Sequence, residues 1–190
     1  MFYQKPPITK ICLITGANRG LGKELAKKLS SQGWELHLTA RDPEGLKKEF
    51  EIEKISYSKV HKLDLFTTSQ EEINTIFSEI NRLDAVIHCA SPYTTKKVSE
   101  SSIEEINEFA RCIPADVSIM TQSVKKISEN KFPGVLVVTG AVIGLPNLFD
   151  RGIIGLIKSN QRQYSAILEN EETQKSRREV YVRHFDLGSF

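Results

Sequence analysis

The stretch Thr15-Gly16-Ala17-Asn18-Arg19-Gly20-Leu21-Gly22 restricts what this chain can fold into more than any other. Before it runs Ile8-Thr9-Lys10-Ile11-Cys12-Leu13-Ile14, an apolar, β-branched segment that reads as a buried parallel strand. After it come Leu21, Leu25, Ala26 and Leu29, spaced as one face of a helix. A glycine-rich turn between a buried strand and a helix gathers unpaired backbone N–H groups and the positive end of the helix dipole at one spot, so it predicts a phosphate site. Gly16 lets the chain turn, Gly20 leaves room for a ligand, and Gly22 permits close packing of helix on strand. A plain strand–turn–helix whose glycines serve only the turn is the alternative; the flanking pattern favours phosphate.

The spacing of these glycines resembles the TGxxxGxG element of the short-chain dehydrogenase/reductase family, and Thr15 to Gly22 match it at every fixed position. Later segments extend the likeness over most of the chain. The resemblance implies an α/β Rossmann fold over residues 1–190, a single NAD(P)-binding domain with a doubly wound parallel sheet in strand order 3-2-1-4-5-6. It also implies dinucleotide contacts from Gly16, Asn18, Arg19, Gly20, Leu21 and Gly22.

At 190 residues the chain fits one domain with a sizeable core. A net charge of +2, from 26 basic and 24 acidic residues, argues against nucleic acid as a partner. No apolar run approaches a membrane span, and Met1 to Pro7 lacks the apolar stretch of a signal peptide. Cys12, Cys89 and Cys112 form an odd, scattered set, the first two in predicted buried strands, and read as reduced thiols of a cytoplasmic protein. His37, His61, His88 and His184 lack metal-ligand spacing, so no metal is expected.

A second strand is expected over Trp34–Thr39, followed by Ala40-Arg41-Asp42-Pro43 and a helix starting near Pro43. In a dinucleotide fold this strand end meets the adenosine ribose, where a carboxylate would bind a 2′-hydroxyl and repel a 2′-phosphate. Alignment on the family puts Ala40 at the usual acidic position, with Arg41 next to it and Arg19 facing the same pocket. Two guanidiniums without that carboxylate favour NADP(H) over NAD(H), although Asp42 offsets part of the charge. Lys59 to Leu63 predict a third strand ending in Asp64-Leu65; the resemblance places Asp64 near the adenine amino group, while a turn-starting aspartate is the alternative.

Thr68 and Glu71 suggest a capping box before the helical face Ile73, Ile76, Phe77 and Ile80. Asp84–Ala90 reads as the fourth strand; the family's Asn-Asn-Ala-Gly is here His88-Cys89-Ala90-Ser91, so only Ala90 is kept, beside the cofactor. These substitutions read as preserving small size there while losing the amides that brace the sheet. A polar loop covers Pro92 to Ser101. A long helical pattern then runs from Ile103 to Ile127, with a kink expected at Pro114. Gly134–Gly140 is the fifth strand, a helix is expected from Gly152 to about Leu168, Glu169–Glu179 reads as a solvated loop or helix end, and Val180–Phe185 is the sixth strand.

Carbonyl reduction by a nicotinamide dinucleotide needs a hydride donor and a proton donor. The resemblance implies a serine after the fifth strand, a tyrosine with a lysine four residues on, and an asparagine on the preceding long helix. Here the serine, tyrosine and asparagine positions read Ala141, Ile154 and Ile113, and only the lysine, Lys158, is retained as a cofactor contact. Tyr93 and Lys97 repeat the Tyr-x-x-x-Lys spacing elsewhere, for which chance in a lysine-rich loop is the simpler account. Thr139 and Ser91 are further hydroxyls without an obvious base, and Tyr164 should point elsewhere. The family's Pro-Gly after the sixth strand reads Leu187-Gly188, and its seventh strand and substrate loop are missing before Phe190. The expectation is therefore an NADP(H)-binding, catalytically degenerate family member that senses cofactor or pairs, in a homo- or hetero-oligomer, through the helices after strands four and five. A divergent NADPH-dependent reductase using Tyr93, Thr139 or water as acid, and a vestigial scaffold without cofactor, are the alternatives.

Overall fold

The computed structural model describes residues 9–93, 96–141 and 152–187. Expectations for Met1 to Ile8, for part of the polar loop, and for Gly188 to Phe190 lie outside the described residues. Six strands form one sheet: β1 (Ile11–Thr15), β2 (Glu35–Ala40), β3 (Lys59–Lys62), β4 (Ala85–His88), β5 (Gly134–Ala141) and β6 (Val180–Leu187). Their order is β3-β2-β1-β4-β5-β6, and every neighbouring pair is parallel. This is the expected doubly wound sheet, with the order reversing between β1 and β4.

The helices are α1 (Gly20–Ser31), α2 (Pro43–Ile52), α3 (Gln70–Ser78), α4 (Ile103–Ala110), α5 (Ile113–Ser128) and α6 (Gly152–Gln174). Successive residues of β1 feed opposite faces of the sheet, as a strand's two-residue repeat requires. Leu13 packs with Ile73, Phe77, Ile119, Met120 and Ile157, from α3, α5 and α6. Cys12 and Ile14 pack with Ala26, Leu46 and Phe50, from α1 and α2. The central strands are covered on both sides, which is why they read as continuous apolar runs rather than alternating ones.

Several local expectations are corrected. The capping box of α3 is Ser69 with Glu72, one residue later than Thr68 and Glu71; the Thr68 hydroxyl instead accepts from the Asp64 N–H at 2.9 Å. The pattern from Ile103 to Ile127 is two helices rather than one kinked helix. Its break falls at Arg111 and Cys112, and Pro114 lies in the first turn of α5, where its missing N–H costs nothing. Cys89 follows β4 rather than lying within it, and is half-buried. Of the two readings of the charged segment after Leu168, the helix end is the one that holds, as far as Gln174. Helix α6 continues through it to Gln174, and Glu172 is buried, accepting from the Val180 N–H at 3.3 Å. Glu169 accepts from the Val182 N–H at 2.8 Å, so both carboxylates bond outward-facing amides at the start of the edge strand. No described helix is long and apolar enough to cross a membrane.

Candidate functional site: a glycine-turn cleft and the buried polar chain beneath it

The C-terminal ends of β1, β2, β3, β4 and β5 open onto a cleft of about 760 Å³. Its floor is the glycine turn. Gly16 has φ +70°, and a Cβ on it would come within 2.9 Å of the Ala90 backbone, so only glycine fits where β1 leaves the sheet beside β4. Gly20 has φ +55° and open space where its Cβ would be. A Cβ on Gly22 would lie 2.3 Å from the Gly16 carbonyl oxygen, which shows how closely α1 is seated on the turn. Arg19 is the N-cap of α1 and makes no side-chain cap, so the first N–H groups of the helix are left for a ligand.

Asn18, Arg19, Leu21, Arg41, Asp64, Leu65 and Ala90 all line this cleft together with the three glycines. Arg19 and Arg41 are both exposed. Asp42, next to Arg41, turns its carboxylate to the N-terminus of α2, where it accepts from the Gly45 N–H at 3.0 Å. Asp64 serves the turn it starts, accepting from the Phe66 N–H at 3.1 Å, and lines the cleft as well. Thr39, at the end of β2, is 1% exposed, lines the cleft and has no hydrogen-bond partner for its hydroxyl. A buried hydroxyl without a partner is costly unless a ligand supplies one. Thr39, Leu63, Phe66 and Phe109 were not singled out as site residues from the sequence, where nothing distinguishes them from other strand and helix positions.

At the far end of the cleft lie Cys89, Ser91, Tyr93 and Thr139. Burial raises the pKa of the Cys89 thiol, against a hydrogen bond with Thr139 and the charge of Lys158. Ile154 is core, 3% exposed, and Ile113 packs against the core. The Tyr164 hydroxyl is 2.9 Å from the Thr121 hydroxyl, away from Lys158 as expected. Lys97 pairs with Glu100, and Tyr93 is well exposed at the cleft mouth.

Lys158 is not among the cleft-lining residues. It ends a chain of buried polar side chains that the sequence did not reveal. The Lys158 ammonium donates to the Thr139 carbonyl and to Gln161 Oε1, each at 3.0 Å. The Gln161 amide donates to Asp116 Oδ2 at 2.9 Å, and Asp116 Oδ1 is 3.0 Å from His88 Nε2. His88 Nδ1 is 2.8 Å from the Thr15 hydroxyl oxygen, which accepts from the Ala90 N–H at 3.1 Å. His88 thus replaces lost amides as a brace between β1, β4 and α5, rather than preserving small size. A signal was present in the sequence: Asp116 and Gln161 sit among the apolar positions of their helices, where an unpaired polar group would be expensive.

Comparison with known proteins agrees with this architecture. The profile of the short chain dehydrogenase family matches residues 10–175. Among curated relatives, the chain is 27% identical over 164 residues to a 3-oxoacyl-[acyl-carrier-protein] reductase of Aquifex aeolicus, covering 79% of this chain and 66% of that one. It is 28% identical over 141 residues to a cyclopentanol dehydrogenase of a Comamonas species, covering 72% of this chain and 56% of that one. The chain thus spans about three-fifths of the length of these relatives, 66% and 56% respectively. A crystal structure of a short chain dehydrogenase from Shigella flexneri complexed with NADP superposes with a TM-score of 0.83 at 22% identity, covering 94% of this chain and 77% of that one.

Proposed function

The chain belongs to the short chain dehydrogenase family, and on that premise we propose that it binds NADP(H) without performing the family's tyrosine-dependent reduction. One contrast carries the reading: an intact, ligand-accessible glycine turn stands beside a site whose serine, tyrosine and asparagine positions are Ala141, Ile154 and Ile113. The described residues fit a dinucleotide on their own terms. Open space at Gly20, an uncapped start of α1 and the unpartnered Thr39 hydroxyl all suit a polar, phosphate-bearing ligand.

In this reading Gly16, Asn18, Gly20, Leu21 and Gly22 cradle the pyrophosphate. Arg19 and Arg41 pair with the 2′-phosphate, helped by the engagement of Asp42 as a helix cap. Asp64 and Leu65 flank the adenine, and Ala90 the ribose beyond the pyrophosphate. A nicotinamide dinucleotide supplies or accepts hydride when bound. Among the described residues the Lys158 ammonium meets the Thr139 carbonyl and Gln161 Oε1 rather than a hydroxyl that could give the proton. The chain's role is then to report on cofactor or to support a partner subunit in the cytoplasm, a compartment that suits three free cysteines. The exposed Ile103 on α4 and Leu156 on α6 support pairing through those helices, although Ile153, Ile154 and Ile157 of the same run are core.

A second reading, a divergent reductase, draws on Thr139 and Tyr93, which line the same cleft. Parallel equilibrium titrations with NADPH, NADP, NADH and NAD, followed by carbonyl turnover with NADPH, test all of this. Micromolar binding of the phosphorylated forms without turnover is expected. No binding would make the fold a vestigial scaffold. Turnover that is lost in Tyr93→Phe would establish the reductase instead.

A further inference from the structure

We propose that Asp116 and Gln161 hold the Lys158 ammonium inside the protein as a counter-charge, so that this retained lysine is not a ligand of the dinucleotide. The inference rests on the proposed cofactor binding only for its affinity arm. Lys158 is 7% exposed, Gln161 and Asp116 are fully buried, and their hydrogen bonds are 2.9 to 3.0 Å long. The acceptor for the ammonium sits on the same helix, three residues on, so α6 forms the contact within a single turn. The second acceptor, the Thr139 carbonyl, belongs to a residue that does line the cleft, whereas Lys158 itself does not.

Charge decides which way this lysine is drawn. Asp116 is 0% exposed, and its two oxygens meet His88 Nε2 and the Gln161 amide. A buried carboxylate with hydrogen bonds but no nearby cation is strongly destabilising. Lys158 supplies that cation through one intervening amide: burial lowers its pKa, and the Asp116 charge is the largest influence holding it up. Moving the ammonium into the cleft would exchange this for a hydrogen bond to a neutral ribose hydroxyl while stranding Asp116, a far smaller gain than the loss. The same carboxylate meets His88, whose other ring nitrogen is 2.8 Å from the Thr15 hydroxyl oxygen, so the lysine completes the charge of this buried chain rather than touching the ligand.

The test uses the full chain. Lysines are acetylated under native conditions with an N-hydroxysuccinimide ester, and rates are read residue by residue by peptide mass spectrometry, with and without NADPH. Lys158 should react at least tenfold more slowly than the exposed Lys48 in both states, and Gln161→Leu should raise its rate several-fold. In the second arm NADPH affinity is compared between the native protein and the double variant Asp116→Asn with Lys158→Met, which leaves no buried charge. Affinity within twofold is expected. A tenfold loss in a folded double variant, or Lys158 acetylated as fast as Lys48 and protected by NADPH, overturns the proposal. Should the double variant not fold, the acetylation rates in the native protein and in Gln161→Leu decide the question. A native protein that binds no NADPH removes the proposed function but leaves acetylation to judge this inference separately.

Discussion

Alanine at Gly20 and at Gly22 should separate what the turn does for the ligand from what it does for the fold. At Gly20 the φ of +55° is left-handed and a Cβ meets nothing within 4 Å. The cost to stability is therefore backbone strain alone, roughly 1–2 kcal/mol. At this chain size that lowers the melting temperature by about 2–8 °C. The methyl would stand in open space at the cleft, and each charge-assisted hydrogen bond it disrupts is worth about 1.5–3 kcal/mol, so NADPH affinity should fall at least tenfold. At Gly22 the added Cβ would lie 2.3 Å from the Gly16 oxygen and 3.0 Å from its carbon, both backbone atoms that cannot swing aside. Overpacking of this kind costs roughly 1–3 kcal/mol, or more where backbone must move, against a gain of about 1 kcal/mol from alanine's better helix propensity. Gly22→Ala should thus lose both stability and binding, whereas Gly20→Ala loses mostly binding. Differential scanning fluorimetry and fluorescence titration with NADPH measure the two. A Gly20→Ala protein with native affinity would refute the reasoning that the turn faces the ligand, and a fully stable Gly22→Ala protein would refute the packing argument.

Arg41→Ala should weaken NADPH binding about tenfold to a hundredfold while leaving NADH within a few-fold, as expected for loss of a charge-assisted contact to a 2′-phosphate; parallel titrations with both cofactors measure it. The stacked pair His37 and His61, with facing nitrogens 3.0 Å apart, is buried between β2 and β3 beside Glu35, Lys59 and Glu79. Burial lowers both pKa values, that of His61 to about 4. The folded state therefore binds fewer protons than the unfolded state below the ordinary histidine pKa of about 6.5, so stability is full above that pH and declines as pH falls toward 4, by roughly 3 kcal/mol at most from His61. Urea melts at pH 7 and pH 4.5 should show this slope, and His37→Leu with His61→Leu should flatten it. Ser69→Ala removes the hydroxyl that accepts from the Glu72 N–H at 3.2 Å and should lower stability by about 1 kcal/mol, read as a shift in the urea midpoint.

The sheet was legible because its signals are local. An apolar run, a glycine turn and an amphipathic stretch following one another in sequence dictate strand, turn and helix, and their alternation leaves few ways to build a sheet. The glycine-turn end of the cleft was legible for the same reason: Gly16 to Gly22 are contiguous, and Arg41 and Asp64 each stand just past a strand. Errors arose where two local solutions compete. Thr68 and Ser69 can each cap a helix, and only packing of Ile73, Ile76 and Phe77 on the core selects Ser69. Pro114 can kink a helix or begin one, and the chain begins one.

The amino-acid sequence alone determined the order of elements and the glycine turn, since each depends on residues read in place. Only the tertiary structure decided what Lys158 touches. Thr15, His88, Asp116, Thr139, Lys158 and Gln161 come from β1, β4, α5, β5 and α6, and no spacing along the chain records that these groups meet. A buried charge is governed by its neighbours in space, and those neighbours exist only once the helices have packed on the sheet.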